Sequence, residues 1–282
     1  LQASRQLDSI PDDSPELIRR KKELFSAAGH SPAATRLREA CDLWSAAFFQ
    51  NLNPATPPLT TAAIRDLLAG RSAPPQAAGA ARAIAERVRF FHWPLEFPEV
   101  FQKKQNPKGG KGEPPTPRAG FDVILSNPPW EHIEIKEQEF FAARDQKIAG
   151  AAGANRKRFI RELPQANPAL YEEFIAVLHD AACLGKFLRH SGRYPLAAAG
   201  RINTYAVFAE LIRALVGPRG RAGAILPTGL ATDATCQRFF ADLNRHRQIA
   251  SLFDFENRAG LFPAVDSRFK FILVTLTARP VG

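Results

Sequence analysis

The second half of this sequence predicts an α/β fold, a mostly parallel sheet with helices on its faces, from three observations. From residue 121 onward the segments alternate strand, helix, strand, helix, strand, strand, the order that builds such a sheet. The apolar run FDVIL is short, β-branched and bounded by turn residues, so it reads as a buried strand. That strand stops abruptly at Asn127-Pro128-Pro129-Trp130, the kind of strand end at which α/β proteins collect ligand groups.

Ahead of the sheet, residues 1–90 form a helical region, an insertion or linker, with no strand pattern. ELIRRKKELFSAAG, AATRLREACDLWSAAFFQNL and AAGAARAIAERVRFF carry helical periodicity, and the Pro-rich breaks NPATPP and RSAPPQ interrupt the region. Residues 91–282 hold the sheet-bearing part, which opens with RFFHWPLEFPEVF and a loop at 102–119. In that loop Lys103, Lys104, Lys108, Lys111 and Arg118 face one acid, Glu113. It reads either as a reach toward phosphates or as a solvated, solubilising segment.

After the strand at 121–126, a helical insertion occupies about 131–200, with EQEFFAARDQKIAG, NRKRFIRELPQ and PALYEEFIAVLHDAACLGKFL as its helices. NTYAVFAELIRALVGPRG reads as a helix with Asn203 as N-cap and Gly217-Pro218 as its stop. RAGAILPTG then gives a strand, and DATCQRFFADLNRHRQ a helix capped by Asp233. IASLFDFEN and FKFILVTLT close the chain, joined too closely for a helical crossover, so the pair is expected to be antiparallel.

Composition narrows the class. At 282 residues and 45% hydrophobic, the chain can bury a substantial core. It has no apolar run of the roughly 18 residues a bilayer span needs and no secretory pattern, so the expectation is a soluble, cytoplasmic protein without membrane contact. A net charge of +10 favours a polyanionic partner such as nucleic acid. Cys41, Cys183 and Cys236 are isolated, which fits neither a metal site nor a disulfide framework and suggests core thiols. KGGKG and GPRGRAG lie outside any strand-to-helix turn, so neither qualifies as a phosphate loop. Starting at Leu1 and containing no Met, the chain reads as a fragment.

The Asn-Pro-Pro-Trp turn suggests a particular chemistry. Two prolines remove two N–H donors and stiffen the backbone, leaving the Pro128 carbonyl in a fixed frame beside the Asn127 side-chain oxygen. Two rigid acceptors suit a planar amino group, which has two hydrogens to donate. Drawn toward tetrahedral geometry, its nitrogen recovers a lone pair able to attack an electrophile. Trp130 would stack on the ring carrying that amine, contributing roughly 1–3 kcal/mol. The plainer alternative is a Pro-Pro loop with a packed Trp.

FDVILSNPPW resembles motif IV of the amino-methyltransferases, (Asp/Asn/Ser)-Pro-Pro-aromatic. With HWPLEFPEVF, INTYAVFAEL, GRAGAILPTG and the FDFENRAGLFP to FKF ending, the stretch from about 90 to 280 is similar to the gamma-group adenine-N6 DNA methyltransferases. The likeness is to the large methylases of type IIG restriction-modification and of phage-defence systems such as BREX and DISARM. It implies the C-terminal strands of a partial, Rossmann-like class I methyltransferase sheet with helical insertions. The implied activity is site-specific methyl transfer from S-adenosylmethionine to the N6 amine of a flipped adenine in double-stranded DNA, with other restriction or defence subunits as possible partners.

Carried over by motif, Asn127 and Pro128 hold the amine and Trp130 stacks on the base, while Pro129, the other proline of the site, stiffens the turn by its own ring. A later aromatic, Phe269 or Phe271, would face the same base, and Asn203 and Tyr205 are further candidates to line the site. His92 and Trp93 carry no assigned chemistry. The Gly-rich and acidic motifs that bind the cofactor are not found, and the expectation places them upstream of Leu1. Three rival readings remain: a protein-glutamine N-methyltransferase, a cytosine-N4 enzyme, whose motif usually has Ser in place of Asn127, and a catalytically incomplete DNA-binding or partner module.

Overall fold

The computed structural model describes residues 6–7, 9–29, 31–101, 120–263 and 265–281. The basic loop, with Lys103, Lys104, Lys108 and Lys111, lies outside the described residues. The chain divides into two compact units. The first comprises Leu1–Leu125, Arg213–Gly223 and Thr275–Gly282; the second comprises Ser126–Ile212 and Ala224–Val274.

In the first unit, helices α1 (Pro15–Gly29), α2 (Pro32–Ala46), α3 (Thr61–Leu68) and α4 (Pro75–Val88) precede the sheet. Ser31 and Thr60 cap α2 and α3, each accepting the backbone N–H of the third helical residue at 3.3 Å. The core between α2, α3 and α4 is built on Ala40, Leu43, Ala46, Ala63, Leu67 and Ala81, small side chains that let helices approach closely. Sequence periodicity missed α3, which has only eight residues and follows a Pro-rich break. Two short helices follow, α5 (Trp93–Glu96) and α6 (Pro98–Phe101). His92 is buried and its Nε2 lies 2.7 Å from Asp42 on α2. Trp93, Phe97 and Phe101 pack edge-on around Phe121 at 5.8, 5.3 and 5.4 Å between centroids.

Four strands form one mixed sheet in the order β1-β2-β4-β3: β1 is Phe121–Ser126, β2 Val216–Pro227, β3 Ile249–Glu256 and β4 Lys270–Thr277. The fold is therefore mixed α/β, and the closing pair is antiparallel: Asn257, just past β3, donates its N–H to Phe269, just before β4, at 2.9 Å. Thr228, just past β2, likewise donates to Lys270 at 3.2 Å, so β4 also runs against β2, and the sheet is mixed rather than mostly parallel as expected. The first residues of β1 and β2 lie side by side, as parallel strands do, with Gly120 against Gly217.

Two expectations change here. Gly217-Pro218 does not end a helix: the helix over Thr204–Leu215 stops before them, and β2 begins at Val216 and runs through both residues. A side chain at Gly217 would start 2.8 Å from the Gly120 carbonyl oxygen, so this glycine serves close strand approach rather than a turn. Nor is β1 buried. Val123 is 67% exposed and Leu125 82%, because β1 is the edge of the sheet.

In the second unit the insertion after β1 is helical: α7 (Glu137–Ala142), α8 (Gln146–Gly150), α9 (Gly153–Ala166) and α10 (Pro168–His190). The single helix expected over 137–150 is two, because Asp145 caps α8 through the Ile148 N–H at 3.0 Å. Phe140, Phe141, Ile148, Leu163, Leu170 and Phe174 make their core. Then come α11 (Thr204–Leu215), the short α12 (Gly229–Thr232) and α13 (Gln237–Arg245). Cys183 and Cys236 are buried and Cys41 is half-buried. No helix among the described residues is long and apolar enough to cross a membrane.

Candidate functional site

The end of β1, the end of β2, the end of β3 and the start of β4 lie at one edge of the sheet, where strand order and direction bring Asn127, Thr228, Asn257 and Phe269. Asn127 is exposed, and its side chain has no hydrogen-bond partner among the described residues. Pro128 is buried and Pro129 exposed. The carbonyl of Pro128 accepts none of the turn or loop hydrogen bonds of the described backbone. Neither of the two acceptors singled out by sequence is thus taken up by a hydrogen bond among the described residues.

Trp130 is half-buried and held by rings. Phe269 stacks on it at 5.6 Å and 13° between planes, and Phe262 meets it edge-on at 6.0 Å. Two parallel rings with a base between them need two van der Waals distances, roughly 7 Å. A base stacking on Trp130 therefore uses the face away from Phe269 or displaces Phe269. The Trp130 Nε1 is buried without a hydrogen-bond partner in the described structure.

Phe269 and Phe271 part company. Phe269 is 39% exposed, while Phe271 is 3% exposed and packs against Phe262 at 5.2 Å and Phe255 at 5.5 Å. Asn203 acts as a cap, its Oδ1 accepting the Tyr205 N–H at 3.2 Å. Tyr205 is buried, and its hydroxyl donates to Asp233 Oδ2 at 2.9 Å. Burial first, then the bonds to Cys236 and Asp233, pushes the Tyr205 phenol far above its ordinary range. Asp233 consequently does not cap the following helix as expected: its side chain makes no cap bond and serves Tyr205 instead.

Comparison of the chain with protein-family models, curated proteins and solved structures finds no match. The site therefore rests on its own geometry, to which three residues not anticipated from the sequence contribute. Thr204 Oγ1 donates to the Pro129 carbonyl at 2.6 Å and accepts the Glu131 N–H at 3.0 Å, and its own N–H returns to the Glu131 carbonyl at 2.8 Å. The pairing continues through a His132–Asn203 bridge to a two-pronged Arg201–Glu134 ion pair at 2.9 and 2.7 Å. That guanidinium holds the Glu134 carboxyl below its usual range. Asn257, 1% exposed, closes the loop that carries Phe262: its Nδ2 donates to the Phe262 and Val265 carbonyls at 3.0 and 2.9 Å, and its Oδ1 accepts the Phe262 N–H at 3.0 Å. The third, Thr228, donates to Asp254 at 2.6 Å across the sheet edge.

Two grooves flank the insertion. One, of about 430 Å³, is lined by Ile133, Leu178, Ala182, Arg189 and Arg201 among others, and the second by residues of α7 and Arg156. Neither is lined by residues 127–130.

Proposed function

We propose that this chain forms the amine-binding part of an S-adenosylmethionine-dependent DNA methyltransferase acting on the N6 amine of adenine. The observation that carries the reading is the free pair of acceptors, the Asn127 side chain and the Pro128 carbonyl, beside the Trp130 ring at a sheet edge. Three strands running one way and a reversed β4 support a Rossmann-like methyltransferase sheet, of which these would be the C-terminal strands.

Each residue has a defined part in this reading. An extruded adenine would present its amino group to Asn127 Oδ1 and the Pro128 carbonyl while Trp130 stacks on its ring. Two bonds from one nitrogen hold its lone pair out of conjugation and aim it away from the protein surface that binds it. The proton leaves to water or a backbone acceptor after transfer, so no general base is needed.

S-adenosylmethionine does not fit the described residues as a resident ligand. The turns after β1, β2 and β3 read Asn-Pro-Pro-Trp, Thr-Gly-Leu and Asn-Arg-Ala, and none is a glycine-rich strand-to-helix turn that could wrap a nucleoside. The donor would be held by residues other than these. Isothermal titration of these 282 residues with S-adenosylmethionine should accordingly show no micromolar binding.

The net charge of +10 favours a duplex over the glutamine side chain of a protein substrate, and binding to DNA should weaken steeply with added salt. The deciding experiment is Asn127→Ala in the protein that contains the cofactor-binding part, assayed with labelled methyl donor on DNA. Loss of one preorganised polar partner should lower the turnover number by about 10²–10³-fold. An unchanged rate sinks the reading.

A further inference from the structure

We propose that Thr204 is the positioning residue of this site, its single hydroxyl setting the direction of the Pro128 carbonyl and the orientation of Trp130. The proposal deepens the amine-binding reading and rests on it for the consequence in catalysis, but the geometry stands by itself.

The hydroxyl acts through backbone torsions. The Pro129 carbonyl accepts from Thr204 Oγ1 at 2.6 Å, which holds the peptide plane between Pro129 and Trp130. The Glu131 N–H donates to the same oxygen at 3.0 Å, which holds the plane between Trp130 and Glu131. Both planes around the Trp130 Cα are thus tied to one atom, and the torsions of Trp130 follow. Upstream, the pyrrolidine ring locks φ of Pro129 near −65°. With the plane on its far side held by Thr204 and its φ locked by the ring, Pro129 leaves a single torsion, its ψ, between Thr204 and the peptide bond before it. That bond carries the Pro128 carbonyl.

The hydroxyl has one proton, and the Pro129 carbonyl at 2.6 Å is nearer than the Glu131 carbonyl at 3.0 Å. Nothing is lost, because the Glu131 carbonyl already receives the Thr204 N–H at 2.8 Å. Thr204 is itself held firmly as the first residue of α11. The next residue, Tyr205, is anchored to Asp233 at 2.9 Å. One turn further, buried Glu210 accepts the Ala197 N–H at 2.8 Å.

Thr204→Val keeps the shape and removes the hydroxyl; Thr204→Ser keeps the hydroxyl. On the chain itself, the emission of Trp130 is isolated by subtracting the spectrum of a matched Trp130→Phe partner for each variant. Thr204→Val should shift that emission to longer wavelength and make it more accessible to acrylamide, and Thr204→Ser should restore it, with helical circular dichroism the same in all three. In the protein that carries the cofactor-binding part, Thr204→Val should lower kcat by roughly 100-fold, the scale of a 1 Å misplacement, with KM for DNA little changed, and Thr204→Ser should recover most of the rate.

An unshifted Trp130 signal in Thr204→Val overturns the proposal, as does a kcat equal to that of the parent. Failure of the parent itself to methylate adenine removes the methyltransferase reading instead, and the Trp130 spectra then decide the positioning role alone.

Discussion

Asn257 offers the sharpest test of how the aromatic side of the site is held. Replacing it with Ala removes three short hydrogen bonds, to the Phe262 carbonyl, the Val265 carbonyl and the Phe262 N–H, at 3.0, 2.9 and 3.0 Å, and a long one to the Asp266 carbonyl at 3.5 Å. At about 1 kcal/mol net for each short bond, the loss is about 3 kcal/mol. It falls on the loop between β3 and β4, so that loop should open roughly 100-fold more often, at a factor of ten for every ~1.4 kcal/mol. That loop carries Phe262 and Phe269, and both pack against Trp130. Urea unfolding followed by tryptophan emission, with amide hydrogen exchange at Phe262 alongside, measures the two consequences. Asn257→Asp separates donor from shape, because a carboxylate facing two carbonyl oxygens repels them and should destabilise at least as much at neutral pH. Its carboxyl would have a raised folded pKa, so the variant should recover as pH falls and lose stability as pH rises through that value. Stability of Asn257→Ala within about 0.5 kcal/mol of the parent, with exchange unchanged, would refute the reasoning.

Three further outcomes are expected. Tyr205→Phe removes the donor to Asp233 and should cost about 1 kcal/mol in urea unfolding. Because the folded phenol is raised and an unfolded one titrates near ~10, its stabilising effect is present below that pH and lost as pH rises above it. Alkaline unfolding of Tyr205→Phe should therefore be shallower than that of the parent. Gly217→Ala places a carbon about 2.8 Å from the Gly120 carbonyl oxygen and should lower the unfolding midpoint by an equivalent of about 1–3 kcal/mol. Leu125→Lys, at an 82% exposed edge position, should change stability by no more than about 0.5 kcal/mol, the opposite of what a buried strand would give.

How far the sequence was readable depends on whether a feature's cause is local. The strand at 121–126 and its turn were legible because apolar residues, an Asn and two prolines sit side by side. The long α10 was legible from periodicity, to which the structure adds the Asn167 cap, accepting the Leu170 N–H at 3.1 Å. The start of β2 was not, since Gly217-Pro218 has the chemistry of a turn and its real cause is a neighbour almost a hundred residues away, Gly120. Exposure of Val123 and Leu125 follows from the place of β1 in the sheet, which no single strand reveals.

The candidate site divides in the same way. Asn127, Pro128 and Trp130 announce themselves as a motif, whereas Thr204 and Asn257 act through loop closures and clips. Faint signals existed for both. Thr204 directly follows the capping Asn203, and Asn257 precedes Gly260 in the left-handed conformation at φ 66°, the mark of a tight turn. Asp233 shows the opposite failure, a plausible local cap whose carboxylate serves a tyrosine 28 residues back along the chain.

The paired prolines have one more consequence, in selectivity. Pro128 and Pro129 have no N–H, so the backbone between Asn127 and Trp130 offers lone pairs and nothing to share with another oxygen. Thymine and guanine bring a keto oxygen to the position where adenine and cytosine bring an amine. On the proposed reading, the wrong base would be refused by oxygen meeting oxygen rather than by bulk.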